Sequence, residues 1–115
     1  MMNSLETSPS PLIRKAFVMA VSPGKSEEYA RRHNPIWPEL EALLRKHGVR
    51  SYSIFYYSST SQLFGYVEIE SEVLWDSIAV DSVCQRWWEH MSDIMPCHPD
   101  HRPLSADLAE VFHLG

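Results

Sequence analysis

Tyr29 and His33 stand four residues apart in the run Tyr29-Ala-Arg-Arg-His33-Asn34-Pro35-Ile36-Trp37-Pro38-Glu39-Leu40. On a helix, residues i and i+4 share one face, so the phenol and the imidazole are predicted to point the same way. An imidazole titrates near neutrality and can give or take a proton at working pH. A phenol beside it can hold a hydroxyl or orient the ring. The plainer reading of the same spacing is a surface histidine bonded to water.

Two further sets of side chains suit a binding role. Trp87 and Trp88 are adjacent, and neighbours on a helix diverge by about 100°. One is expected to pack inward while the other lines a rim, where indole stacks on apolar C–H faces and its N–H donates to hydroxyls. Two large core residues would look the same in sequence. Tyr52, in a β-forming run, is a third candidate, though such a strand tyrosine reads more readily as a core residue with its hydroxyl at the edge.

Other chemistry finds little footing. The six histidines are His33, His47, His90, His98, His101 and His113. Only His98 and His101, with Asp100, cluster, and they do so in a proline-rich stretch without metal-ligand spacing. No metal is therefore assigned. Cys84 and Cys97 form no CxxC, there is no glycine-rich phosphate loop among four glycines, and no GxSxG turn occurs. What remains is chemistry that protons and binding can drive.

The elements that must position these groups can be read from periodicity. Residues 12–21 alternate, with Ile13, Lys15, Phe17, Met19 and Val21 on one face, as in a strand. Pro23-Gly24 marks a turn. Residues 25–34 suit a helix that Asn34-Pro35 interrupts, because the residue before proline is pushed out of the helical region. Leu40, Leu43 and Leu44 resume a helical stripe to His47, and Gly48 is a good stop.

Residues 49–57 and 62–69 read as a β-hairpin. Tyr52, Ile54 and Tyr56 lie on one face of the first strand, with Phe55 and Tyr57 on the other. A short helix over about 72–80 follows. Ser82 with Gln85 fits a capping box, and Cys84, Trp87, Trp88, Met91, Ile94 and Met95 form the apolar stripe of a helix that Pro96 ends. The last strand is expected at about 107–114. The order β-α-β-β-α-β is the ferredoxin-like α+β pattern, an antiparallel sheet with helices on one face. Its other face, half apolar, calls for a partner, and a second copy as a two-fold dimer is the simplest.

At 115 residues the chain suits a single domain, placed at 12–115 behind a Ser- and Pro-rich extension at 1–11 that is expected to be disordered. A net charge of −5 argues against nucleic acid. No apolar run matches a membrane span and no secretory signal opens the chain. Two cysteines are too few for a disulfide framework, so a cytoplasmic location is expected.

Four stretches give the chain a family resemblance: Ile13-Arg-Lys-Ala-Phe-Val-Met19, the segment Tyr29–Leu40 with RRHNPIWPEL, Val83-Cys-Gln-Arg-Trp-Trp88, and Asp93-Ile-Met-Pro96. In these, over about residues 12–114, the chain resembles the L-rhamnose mutarotases. The resemblance implies a dimeric α+β barrel that interconverts the α and β anomers of L-rhamnose, an isomerase of carbohydrate metabolism without a cofactor. It implies His33 as proton donor and Tyr29, Tyr52, Trp87 and Trp88 as sugar-binding residues. The extension and the histidine-rich loop at 96–104 depart from the family pattern. Two other classes fit the same residues: a cofactor-free monooxygenase on the same dimeric barrel, and a sugar-binding dimer without turnover.

Overall fold

The structure, a computed structural model, describes residues 11–115. The expectation for the N-terminal extension therefore lies, apart from Pro11, outside the described residues. Strand β1 (Ile13–Ala20) leads to helix α1 (Ser26–Arg32) and helix α2 (Pro38–Lys46). Strands β2 (Val49–Tyr57) and β3 (Gln62–Ile69) form the hairpin. Helix α3 (Glu72–Ser77) runs into a 3-10 turn, Ile78–Val80, then helix α4 (Ser82–Met91) and strand β4 (Ala106–Leu108). The four strands lie in the order β2-β3-β1-β4, every pair antiparallel. This is the ferredoxin-like α+β arrangement.

Register explains which side chains meet the helices. Tyr52 pairs with Val67, which pairs with Lys15; Ile54 pairs with Gly65, which pairs with Phe17; Tyr56 pairs with Leu63, which pairs with Met19. Because side chains alternate across a strand, these rows share one face. Met19, Leu63, Val67 and Ile69 on that side are buried together with Leu40, Leu43, Cys84, Trp87, Met91, Ile94 and Met95 from the helical side. Each large aliphatic side chain buried there contributes roughly 1.5–3 kcal/mol. The opposite face carries Phe55 and Tyr57, 64% and 52% exposed, and Leu108.

Helix ends follow local chemistry. Trp37 stands at the N-cap of α2 and Pro38 occupies the first turn, where its missing N–H costs nothing. Gly48 ends that helix at φ 84°, a left-handed conformation that favours glycine. Ser71 caps α3 by accepting the Leu74 N–H at 3.2 Å.

Three expectations need correction. The cap of α4 is Asp81, whose carboxylate accepts the Val83 N–H at 2.9 Å, and Ser82 is already helical. A carboxyl side chain one residue earlier thus serves a different orphan donor of the first turn, Val83 instead of Gln85. The helix ends at Met91, before Pro96, and the chain reaches Ile94 and Met95 through turns that still bury both. The last strand is three residues long, not eight. Beyond Leu108 the chain is tied to β1 through Arg14 and Glu110 at 2.9 Å, but Val111, Phe112 and Leu114 stand exposed with no ladder beside them among the described residues.

Candidate functional site

A cavity of about 1250 Å³ lies between the helix-side face of the sheet and the helices. All five residues singled out in the sequence line it: Tyr29, His33, Tyr52, Trp87 and Trp88. Helix α1 supplies Tyr29, and His33 caps its C-terminal end. Strand β2 supplies Tyr52, and α4 supplies both tryptophans.

The imidazole is tightly placed. Its ring stacks on Tyr29 with centroids 4.4 Å apart and meets Trp87 edge-on at 5.2 Å. His33 Nδ1 lies 2.8 Å from the Tyr29 carbonyl oxygen. A carbonyl only accepts, so Nδ1 carries the hydrogen and donates, and Nε2 is the nitrogen left for a reacting group. Burial lowers the His33 pKa, and the bond to Tyr29 opposes this only in part. The neutral imidazole is therefore favoured, with a lone pair on Nε2.

The phenols are protonated donors. Burial pushes both Tyr29 and Tyr52 above the usual phenol range. Tyr52 is 37% exposed over the residue as a whole, yet burial is the largest influence on its hydroxyl. The hydroxyl is the enclosed end of that side chain. Among the described residues the only phenol with a side-chain hydrogen-bond partner is Tyr66, which donates to Glu68 at 2.9 Å. Among the described residues nothing bonds the side-chain hydroxyls of Tyr29 and Tyr52, which can therefore meet a polar ligand.

The tryptophan pair divides as the helix geometry requires. Trp87 is buried, 8% exposed, and Trp88 is half-buried on the cavity wall. Trp37 braces Trp87 edge-on at 5.1 Å and lies 5.2 Å from the His90 ring. Beneath this cluster, Arg32 joins α1 to α4. It donates to Glu28 at 2.7 Å, to the His90 carbonyl at 2.8 Å and to Asp93 at 2.8 Å. That clasp sits one residue before His33.

Sequence reasoning missed part of the wall. Phe17 and Trp75 also line the cavity and pack around Tyr52, each at 6.1 Å. The available signal was Gly65, since a glycine inside a strand pattern marks a close approach. Cys84 lines the same space, but burial, with a smaller push from Asp81, raises its thiol to about 12, so it is no nucleophile. Among the described residues no cluster of His, Cys, Asp and Glu could hold a metal ion. The site can thus bind a hydroxylated ring and move a proton.

Comparison with known proteins gives this geometry a family. A family model described as L-rhamnose mutarotase matches residues 14–114. A protein named L-rhamnose mutarotase from Opitutus terrae is 61% identical over 103 residues, covering 90% of this chain and 99% of that one. One of the same name from Shigella flexneri is 57% identical with the same coverage. The crystal structure of an L-rhamnose mutarotase from Formosa agariphila superposes with a TM-score of 0.83 at 37% identity, covering 90% of this chain and 99% of that one. A putative antibiotic biosynthesis monooxygenase from Nitrosomonas europaea shares the fold alone, with a TM-score of 0.60 at 12% identity over 94% of this chain and 98% of that one. The chain belongs to the L-rhamnose mutarotase family.

Proposed function

We propose that this chain interconverts the α and β anomers of L-rhamnopyranose by acid–base ring opening and closure, with His33 as the proton-transfer group. The observation that carries the reading is the His33–Tyr29 arrangement. Nδ1 is held by the Tyr29 carbonyl at 2.8 Å, which leaves Nε2 as the working atom of a neutral imidazole in a cavity lined by phenols and indoles.

The atoms balance without a further reagent. Nε2 takes the proton of the anomeric hydroxyl as the C1–O1 bond becomes a carbonyl and the C1–ring-oxygen bond breaks. The imidazolium then delivers that proton to the ring oxygen. Both oxygens are bonded to C1, so one nitrogen reaches both. His33 is thus the proton donor of ring opening, loaded by the substrate itself. After rotation about the C1–C2 bond exposes the other carbonyl face, the steps reverse and close the other anomer. The reading assigns no cofactor. Proton transfer of this kind contributes roughly 10²–10⁴-fold.

Tyr29 and Tyr52 serve as donors to sugar hydroxyls, and Trp87 and Trp88 as the apolar wall for the ring's C–H face. A homodimer is part of the proposal, supported by the exposed Phe55, Tyr57 and Leu108 on the outer sheet face and by the apolar tail Val111, Phe112 and Leu114. Among the described residues no helix is long and apolar enough to cross a membrane. Free Cys84 and Cys97 suit a reducing compartment, and we place the protein in the cytoplasm.

Saturation-transfer NMR on the two anomeric protons of L-rhamnose tests the activity. The wild type should exchange them well above the buffer rate, and His33→Ala should lose most of that acceleration. Exchange at the buffer rate with saturable sugar binding would mean a binding dimer instead.

A further inference from the structure

Two aromatic clusters line the cavity. One holds Tyr29, His33 and Trp87. The other is a closed triad of Phe17, Tyr52 and Trp75, with ring centroids 6.1–6.3 Å apart. Its members come from β1, β2 and α3. Phe17 has a specific seat. A Cβ on Gly65, its partner across the sheet, would collide with Phe17 Cε2 and Cζ. The phenyl ring therefore lies over the bare backbone of β3. Ile54, on the other side of Gly65 in the same row, also lines the cavity. Lys15, Asp76 and Asp107 are the nearest charged lining groups by sequence and strand neighbourhood, and Lys15 is engaged by Glu72 at 3.0 Å.

We infer that Phe17, Trp75 and Ile54 form the specificity-determining wall that takes the methyl group on C5 of the sugar, with Gly65 setting its depth. The inference rests on the mutarotase reading. Three sugars isolate the position: L-lyxose carries hydrogen on C5, L-rhamnose a methyl and L-mannose a hydroxymethyl. An apolar wall favours the methyl over hydrogen by the contacts it fills. It disfavours the hydroxymethyl because none of the three wall side chains, Phe17, Trp75 and Ile54, offers that hydroxyl a partner for the water it loses. A single group in an apolar pocket is worth roughly 10–200-fold in kcat/KM.

The experiment measures kcat/KM for the three sugars by saturation-transfer NMR with the full chain. The wild type should prefer L-rhamnose to both others by roughly 10-fold or more. Gly65→Ala drives the Phe17 ring into the cavity and should cut the L-rhamnose to L-lyxose ratio. Phe17→Ser should wet the wall and raise the L-mannose to L-rhamnose ratio. Ile54→Thr, which keeps the branched Cβ while trading an ethyl arm for a smaller polar group, tests the same point should Phe17→Ser fail to fold. Sugar ratios equal to those of the wild type in Gly65→Ala and Ile54→Thr would overturn the wall while leaving the mutarotase reading intact. A wild type that accelerates none of the three sugars would overturn both.

Discussion

His33 Nδ1 donates to the Tyr29 carbonyl at 2.8 Å while the two rings stack at 4.4 Å, so one residue fixes both the tautomer and the tilt of the imidazole. The helical i, i+4 spacing produces both contacts at once. The backbone carbonyl near the helix end, short of its usual amide partner, takes the ring N–H instead.

This pairing sets a pH dependence. Burial holds the His33 pKa below its ordinary value of 6.5. The neutral form does the first proton transfer, so kcat should be level at neutral pH and fall only as pH drops through the lowered value. The unfolded chain binds that proton more readily than the folded one. Stability should therefore decline as pH falls below about 6.5 toward the lowered value, and gain nothing from His33 above it. Anomer-exchange rates and thermal melts from pH 5 to 8 check both statements. A rate that rises on acidification would assign the group the opposite starting charge.

The clasp one residue upstream should matter for chemistry more than for binding. Arg32 ties Glu28, Asp93 and the His90 carbonyl together, joining the helix that ends at His33 to the one that carries Trp87. Glu28 is drawn down to about 2, first by Arg31 and then by Arg32, so the clasp stays ionised well into acid. Arg32→Met should let the imidazole drift and lower kcat, and a misplacement of about 1 Å can cost up to ~10²-fold. KM should move little. Arg32→Lys, which keeps a cation among Glu28, Asp93 and the His90 carbonyl, should retain part of the rate that Arg32→Met loses. Titration of the His33 ring protons by NMR would show the release directly.

Trp88→Ala should act the other way. Half-buried on the cavity wall, Trp88 offers surface to the sugar without touching the imidazole pair. Its loss should raise KM by roughly 5- to 150-fold, on the order of 1–3 kcal/mol for one large apolar contact, with kcat near the wild-type value. An unchanged KM would remove the stacking role.

Much of this was legible in the chain. The hairpin falls at 49–57 and 62–69 as its alternation predicts, because strands half-buried on one side must alternate. Tyr29 and His33 were legible because they are local. Phe17, Trp75 and the Arg32–Asp93 pair were not, since each depends on residues the fold brings together from far apart. The tail reads as a strand because Val111, Phe112 and Leu114 are β-formers, yet a strand needs a neighbour. Within the chain that neighbour ends at the Ala16–Leu108 pair.

That unmatched tail and the outer sheet face lead to the last prediction. On the outer face Phe55 pairs across the hairpin with Phe64, which pairs in turn with Val18, and Tyr57 stands two residues further along the same strand. Apolar surface of this extent in a well-folded chain marks an association surface. A two-fold copy would set sheet against sheet and give each tail a neighbour, while the cavity stays on the helix side of each protomer. Phe55→Glu places a charge at the centre of that face, where burial without a partner is unfavourable. Sedimentation velocity should report a dimer for the wild type and a shift toward monomer for Phe55→Glu. Truncation after Glu110 should weaken the dimer in the same direction. A wild type that sediments as a monomer at micromolar concentration would leave the outer face without a second copy.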